Sequence, residues 1–150
     1  MAHKIMRRAG LAFGVLFFLL GTALKPAHAE PPVLDVELNA LKPAAGSCQL
    51  AFVFRNGLPA DITSLAMEIV LFDRGGIMQR VLRLKASALP AKSMRFKMFA
   101  IPGVECVGLG NVLLNDIPSC ELATTDTALD KTACAAAIRA SHKTDVPLTR

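Results

Sequence analysis

The sequence predicts an all-β fold, two sheets of short antiparallel strands packed as a sandwich, with a short helical insertion near the C-terminus. Three observations point there. Six or seven stretches alternate apolar and polar residues with the two-residue period of a half-buried strand. Each stretch ends in Gly, Pro or Asn signals such as Asn56-Gly57, Arg74-Gly75-Gly76, Leu89-Pro90-Ala91 and Ile101-Pro102-Gly103. Only one segment, rich in alanine and lying between residues 127 and 140, has the composition of a helix.

The strands are read in chain order. Leu34, Val36 and Leu38 oppose Val33, Asp35 and Glu37 in a half-buried first strand. In the second, Cys48, Leu50, Phe52 and Phe54 share one face, with Gln49, Val53 and Arg55 on the other. The third turns Leu65, Met67, Ile69 and Leu71 inward and runs to Asp73, where the glycine pair starts a hairpin. The fourth, 77–85, sets Met78, Leu82 and Leu84 on a face interrupted by Arg80. In the fifth, 92–100, Met94, Phe96 and Met98 read as the core side, and Arg95 and Lys97 as the water side. The sixth, 106–117, carries Gly108 and Gly110, which suggest a bulge or a close backbone approach. A helix over 127–140, capped by Asp126 or Thr127, and a tail from His142 to Arg150 that adds an edge strand complete the reading.

The N-terminus has a different character. Lys4, Arg7 and Arg8 precede an apolar run from Leu11 to Leu24, and Ala27-His28-Ala29 offers small residues at the −3 and −1 positions of a signal-peptidase site. As a helix the run would span about 21 Å, short of the roughly 30 Å hydrocarbon core. Residues 1–29 are therefore expected to be a cleaved signal, and 30–150 a single domain without stable membrane insertion. Arg7-Arg8 resembles the start of a twin-arginine signal, but Gly10 stands where the fuller motif has a large apolar residue, and the general secretory route is preferred. The expected compartment is the periplasm or the exterior.

Removing the signal changes the charge argument. The full chain carries 17 basic and 12 acidic residues, but Lys4, Arg7, Arg8 and Lys25 lie before the exported part, which keeps 13 basic residues and a net charge of +1. That balance gives no support for nucleic-acid binding. Cys48, Cys106, Cys120 and Cys134 all fall in the exported part, and an even number in an oxidising compartment implies two disulfides. None of the spacings forms the close pairs of a zinc site.

Candidates for chemistry are sparse. His142 is the single histidine after the signal, so a hydrolase relay would have to use it. Glu68, Asp73, Glu105, Asp116 and Glu121 supply carboxylates, but their spacing singles out no catalytic pair, and the chain has no Trp or Tyr for sugar stacking. Met94 and Met98 are the candidate soft ligands for Cu(I), weighed against core packing. Asn115-Asp116 is a weak calcium candidate. Arg80, Arg83, Lys85, Lys92, Arg95 and Lys97 form a local basic cluster suited to an acidic partner or membrane surface, or simply to water. No cofactor or metal is expected.

The run Phe52-Val53-Phe54-Arg55-Asn56-Gly57, then Ile69-Val70-Leu71-Phe72-Asp73 with its Gly75-Gly76 turn, then Leu89-Pro90-Ala91 before Met94-Arg95-Phe96, resembles FxLYD-type immunoglobulin-like domains of bacterial envelope proteins. The strand-opening Cys48, the run Val112-Leu113-Leu114-Asn115-Asp116 and the late pair Cys120 and Cys134 are also similar to uncharacterised small exported alphaproteobacterial proteins labelled by a twin-arginine signal. The first resemblance implies an immunoglobulin-like sandwich, whose second and sixth strands face each other across the core and run the same way. Cysteines near the starts of those strands can meet, so Cys48 is expected to bond Cys106, leaving Cys120 for Cys134. Neither resemblance brings a catalytic residue. The expected function is a non-enzymatic envelope module that acts through contact with a protein of the envelope or as an accessory subunit. A Met-based copper carrier and a small secreted hydrolase are the alternatives.

Overall fold

Three strands supply most of the largest fully buried side chains of the core. In β1 (Leu34–Ala44) and β2 (Ser47–Asn56), Leu34, Val36 and Leu38 and then Cys48, Leu50, Phe52 and Phe54 are fully buried. β3 (Ile62–Asp73) does the same with Leu65, Met67, Ile69 and Leu71. A computed structural model describes residues 32–123 and 131–150 of the chain. The proposed signal, with Ala27 and Ala29, and the Asp126 or Thr127 helix cap lie outside the described residues.

The other elements are β4 (Met78–Ala86), β5 (Ser93–Pro102), β6 (Leu109–Leu122), a helix α1 (Lys131–Ala136), β7 (Ile138–His142) and β8 (Leu148–Thr149), with one 3-10 turn at Cys106–Gly108. They form two four-stranded sheets in the orders β5-β2-β1-β7 and β4-β3-β6-β8. The first, second and fifth strands thus share one sheet and the third and sixth the other, with β4 added beside β3. This is the partition of an immunoglobulin-like sandwich. The two inner faces interdigitate in one apolar cluster, where Phe52 stacks near Phe54 and meets Phe99 edge-on at 5.9 Å between ring centroids.

The sheets are mixed, which corrects the expectation of a purely antiparallel sandwich. β7 runs parallel to β1 and β8 parallel to β6. The helix is also shorter than the span 127–140. Alanine favours helix as far as Ala136, but the open edge of β1 then captures the chain, and Ala137 accepts a hydrogen bond from the Leu34 amide at 2.9 Å. Ile138 is buried against the core, so tertiary pairing overrides local propensity from there on. β8 is the edge strand foreseen in the tail, and Pro147 sits just before it, where no ladder donor is lost.

Two further corrections concern which residues face the core. β5 pairs with β2 through ten consecutive residues, with Cys48 opposite Ile101 and Leu50 opposite Phe99. Ile101 and Phe99 therefore turn inward, and alternation forces Met94, Phe96 and Met98 onto the outer face, exposed by 62%, 55% and 36%. Arg95 and Lys97 lie on the inner side of this edge strand. In β4, Leu84 and Ala86 are buried and Leu82 packs beside them, but a register shift opposite Leu71 and Phe72 moves Met78 to the outer face.

The glycine reading divides. At Gly110 a Cβ would lie 2.7 Å from the Arg74 Cα and closer still to the Asp73 carbonyl, so the β3–β4 turn packs directly on β6. Gly108 has open space. Gly76, at φ 78°, supplies the left-handed residue of that turn, and the Asp73 carboxylate accepts the amides of Gly75 and Ile77 at 2.9 and 2.8 Å.

Candidate functional site

Two features of the surface depart from a bland sandwich, and they adjoin where Met94 lies opposite Arg55 on the outer face of one sheet. The first is ionic. Asp35 and Glu37 point to the outer face of β1, yet are only 7% and 4% exposed. One nitrogen of Arg55, on β2, donates to both, at 2.9 Å to Asp35 Oδ2 and 2.9 Å to Glu37 Oε2. Asn39 donates to the other Glu37 oxygen at 2.8 Å, and Ser141 Oγ on β7 to Asp35 Oδ1 at 3.0 Å. The Arg139 Nε stands 3.6 Å from that same oxygen. Sequence pairing explains the convergence, because Asp35 lies opposite Arg55 on one side and Arg139 on the other.

Hydrogen bonding from Arg55, then from Asn39, outweighs desolvation and holds the Glu37 carboxyl below its ordinary value of 4.5. The Glu37 contact in turn raises the Arg55 guanidinium. Both carboxylates have protein donors on both oxygens, so the cluster acts as a clamp fastening β2 and β7 to β1. It leaves no carboxylate poised for proton transfer.

The sign of the pH effect follows. A carboxyl depressed in the folded state stabilises it at pH values above the unfolded value near 4.5, and that stabilisation is lost as pH falls through the lower folded value. Arg55→Met is expected to cost about 2 kcal/mol at neutral pH, because two buried carboxylates lose their shared donor. Its stability should also fall less on acidification below pH 4.5 than that of the natural chain, as urea titrations at pH 7 and pH 3.5 will measure.

The second feature is the open side of the sandwich. β7 and β8 close one edge of each sheet, leaving β5 and β4 as the opposite edges. Among the described residues seven large apolar side chains are markedly exposed, and six of them, Ile77, Met78, Val81, Met94, Phe96 and Met98, lie on these two strands or at their start. The seventh, Val107, is in the 3-10 turn. From Arg74 to Val104 the chain has seven basic residues and no acidic one, so this stretch is strongly positive and the rest of residues 30–150 net negative. Among the described residues, the ion pairs involve only Arg55 and Arg139 as cations, and none of these seven takes part. Arg80 reaches beside Gly103, just past β5, so the two edges share one charged flank.

The candidates from sequence separate accordingly. Cys48 and Cys106 are bonded across the two sheets with Cα atoms 4.9 Å apart, and Cys120 and Cys134 tie β6 to α1 at 6.0 Å. Met94 and Met98 are about 13 Å apart along β5 at strand rise, with Phe96 between them. His142, at the end of β7, is exposed and alternates to the face opposite Ser141. The Asn115 amide donates to Glu68 at 2.8 Å, and Asp116 accepts the Ile117 amide at 2.7 Å. Asp73 is committed to its turn and shares a shallow pocket with Glu105, Glu68 lies opposite Asp116 across the β3–β6 pairing with its carboxylate engaged by Asn115, and Glu121 stands apart near the end of β6. No group of three His, Cys, Asp or Glu residues converges on a metal-sized space among the described residues.

Sequence reading found the basic stretch of the second feature but missed the ionic cluster and the exposed apolar row. Asp35 and Ser141 are 106 positions apart, and no local pattern announces their contact. The exposed row on β5 had a signal in its apolar residues, but its parity is set by Phe99 and Ile101 at the far end of the strand. Comparison with known proteins found no matching family model, no matching curated protein and no matching solved structure.

Proposed function

We propose that this chain is an exported, non-enzymatic sandwich module of the bacterial envelope that acts by contact with another protein. The observation that carries this reading is the concentration of exposed apolar side chains on the two open edge strands or at their start, six of the seven among the described residues. Apolar residues scattered singly over a surface need no partner, whereas a contiguous row beside unpaired charge marks a contact surface. The FxLYD-type affiliation and the periplasmic location belong to the same proposal.

The alternatives draw less support. A copper carrier needs Met94 and Met98 to converge on one ion, and their spacing along a strand works against it. A hydrolase relay needs His142 within reach of a nucleophile, and Ser141, its neighbour, points the other way to Asp35.

Capture experiments from a periplasmic fraction with the full-chain product and its Phe96→Ser variant test the reading. A protein held by the natural chain should be lost by the variant, since Phe96 is 55% exposed and its removal leaves the core intact. Equal capture by both would count against the edge as the contact surface.

A further inference from the structure

β5 has two faces of different chemistry. Met94, Phe96 and Met98 line its outer face, while Arg95 and Lys97 alternate to the inner side, and no ion pair meets either charge. Its ladder to β2 runs from Ser93 to Pro102 without a register shift, and no proline interrupts it before that last residue. Its other edge has no strand partner among the described residues. A regular edge of this length offers a row of unpaired amides and carbonyls as a template for one more strand.

We propose that β5 accepts, as an added strand, an extended segment of another protein in which acidic and apolar residues alternate. Its apolar side chains would extend the Met94, Phe96 and Met98 row, and its carboxylates would stand across from Arg95 and Lys97. This names the partner class for the protein-contact reading and rests on it.

Charge and geometry exclude the nearest competitors. A second copy pairing edge to edge about Phe96 would set Arg95 against Lys97 twice, a like-charge opposition that penalises pairing. An anionic bilayer could meet the apolar row, but the same approach leaves Arg95 and Lys97 on the far side of the strand. A strand engages both sides at once. β4 is the poorer edge, because its pairing is interrupted beside Met78.

The test uses disulfide-bonded protein made from the full chain, titrated with three capped eight-residue peptides and followed by amide chemical shifts. One peptide alternates Glu with Val, one alternates Lys with Val, and one is the Glu/Val peptide with every second amide N-methylated. The Glu/Val peptide should shift the amides of residues 93–102 and bind at least about tenfold more tightly than either of the others. An R95E/K97E variant should reverse the preference toward Lys/Val. The N-methyl comparison needs no variant and stands even if that one does not fold.

Equal affinity for Glu/Val and Lys/Val, or shifts confined to other strands, would overturn the proposal. So would binding to phosphatidylglycerol vesicles with none to any peptide. Failure here with capture still dependent on Phe96 removes the acidic strand and leaves the protein-contact reading. Loss of that capture removes the reading itself.

Discussion

Replacing both Cys48 and Cys106 with alanine is expected to cost about 4 kcal/mol, the largest effect of any change considered for this domain. The bond closes a loop of 58 residues and joins β2, in one sheet, to the turn that opens β6, in the other. Chain entropy makes its removal favour the unfolded state strongly. Cys48 is also fully buried, so two shortened side chains leave unfilled space between the sheets. The Cys120–Cys134 bond spans 14 residues, and its removal should cost about 3 kcal/mol. It ties α1 to β6, the element from which β7 continues. Urea midpoints of the two paired variants give the comparison, and a smaller loss for C48A/C106A than for C120A/C134A would reverse the expected order.

Asn56→Ala should cost about 3 kcal/mol, although it removes no apolar contact. Asn56 is 2% exposed at the end of β2. Its amide nitrogen is shared among the carbonyls of Ala60, Leu89 and Pro90 at 3.0, 2.8 and 3.2 Å, and its oxygen accepts the Leu58 amide at 3.0 Å. One side chain thus satisfies the backbone of two loops that approach each other, where Ile62 and Leu89 exchange hydrogen bonds. Alanine strands those groups away from water. Asn56→Asp should be at least as damaging, because a carboxylate would face three carbonyl oxygens with no proton to offer. Thermal or urea unfolding of both variants checks this, and a variant of natural stability would mean that water replaces the amide.

The legible and illegible parts of this fold divide along a physical line. The inward faces of β1, β2 and β3 could be read because each places three or more large apolar residues at alternate positions, while the opposite face is smaller or interrupted by polar residues such as Gln49, Arg55 and Glu68. β5 offered two apolar sets, and the nearer one, Met94, Phe96 and Met98, was the wrong one, since burial of Ile101 at 3% exposure decides the parity. The alanine-rich segment announced a helix truthfully, but nothing local told where the edge of β1 would take over at Ile138. The Asp35–Glu37–Arg55 clamp was hidden for a related reason. Its members look like the ordinary polar face of half-buried strands until the pairing of β1 with β2 and β7 is known. The cysteine pairing was readable through the immunoglobulin-like strand order that the resemblance implies, although Cys106 lies in the turn before β6 and not in the strand itself, as the span 106–117 had it.

Contact through the β5 edge is tested most directly by photo-crosslinking in cells producing the full chain, with benzoylphenylalanine placed at Phe96 or at Val107. Both positions are exposed, at 55% and 66%, so reactivity toward solvent and passing molecules is matched. Only Phe96 lies on the open edge. A discrete protein adduct from the Phe96 position and none from Val107 is the expected result, and adducts from Val107 alone, or lipid adducts alone from Phe96, would contradict it.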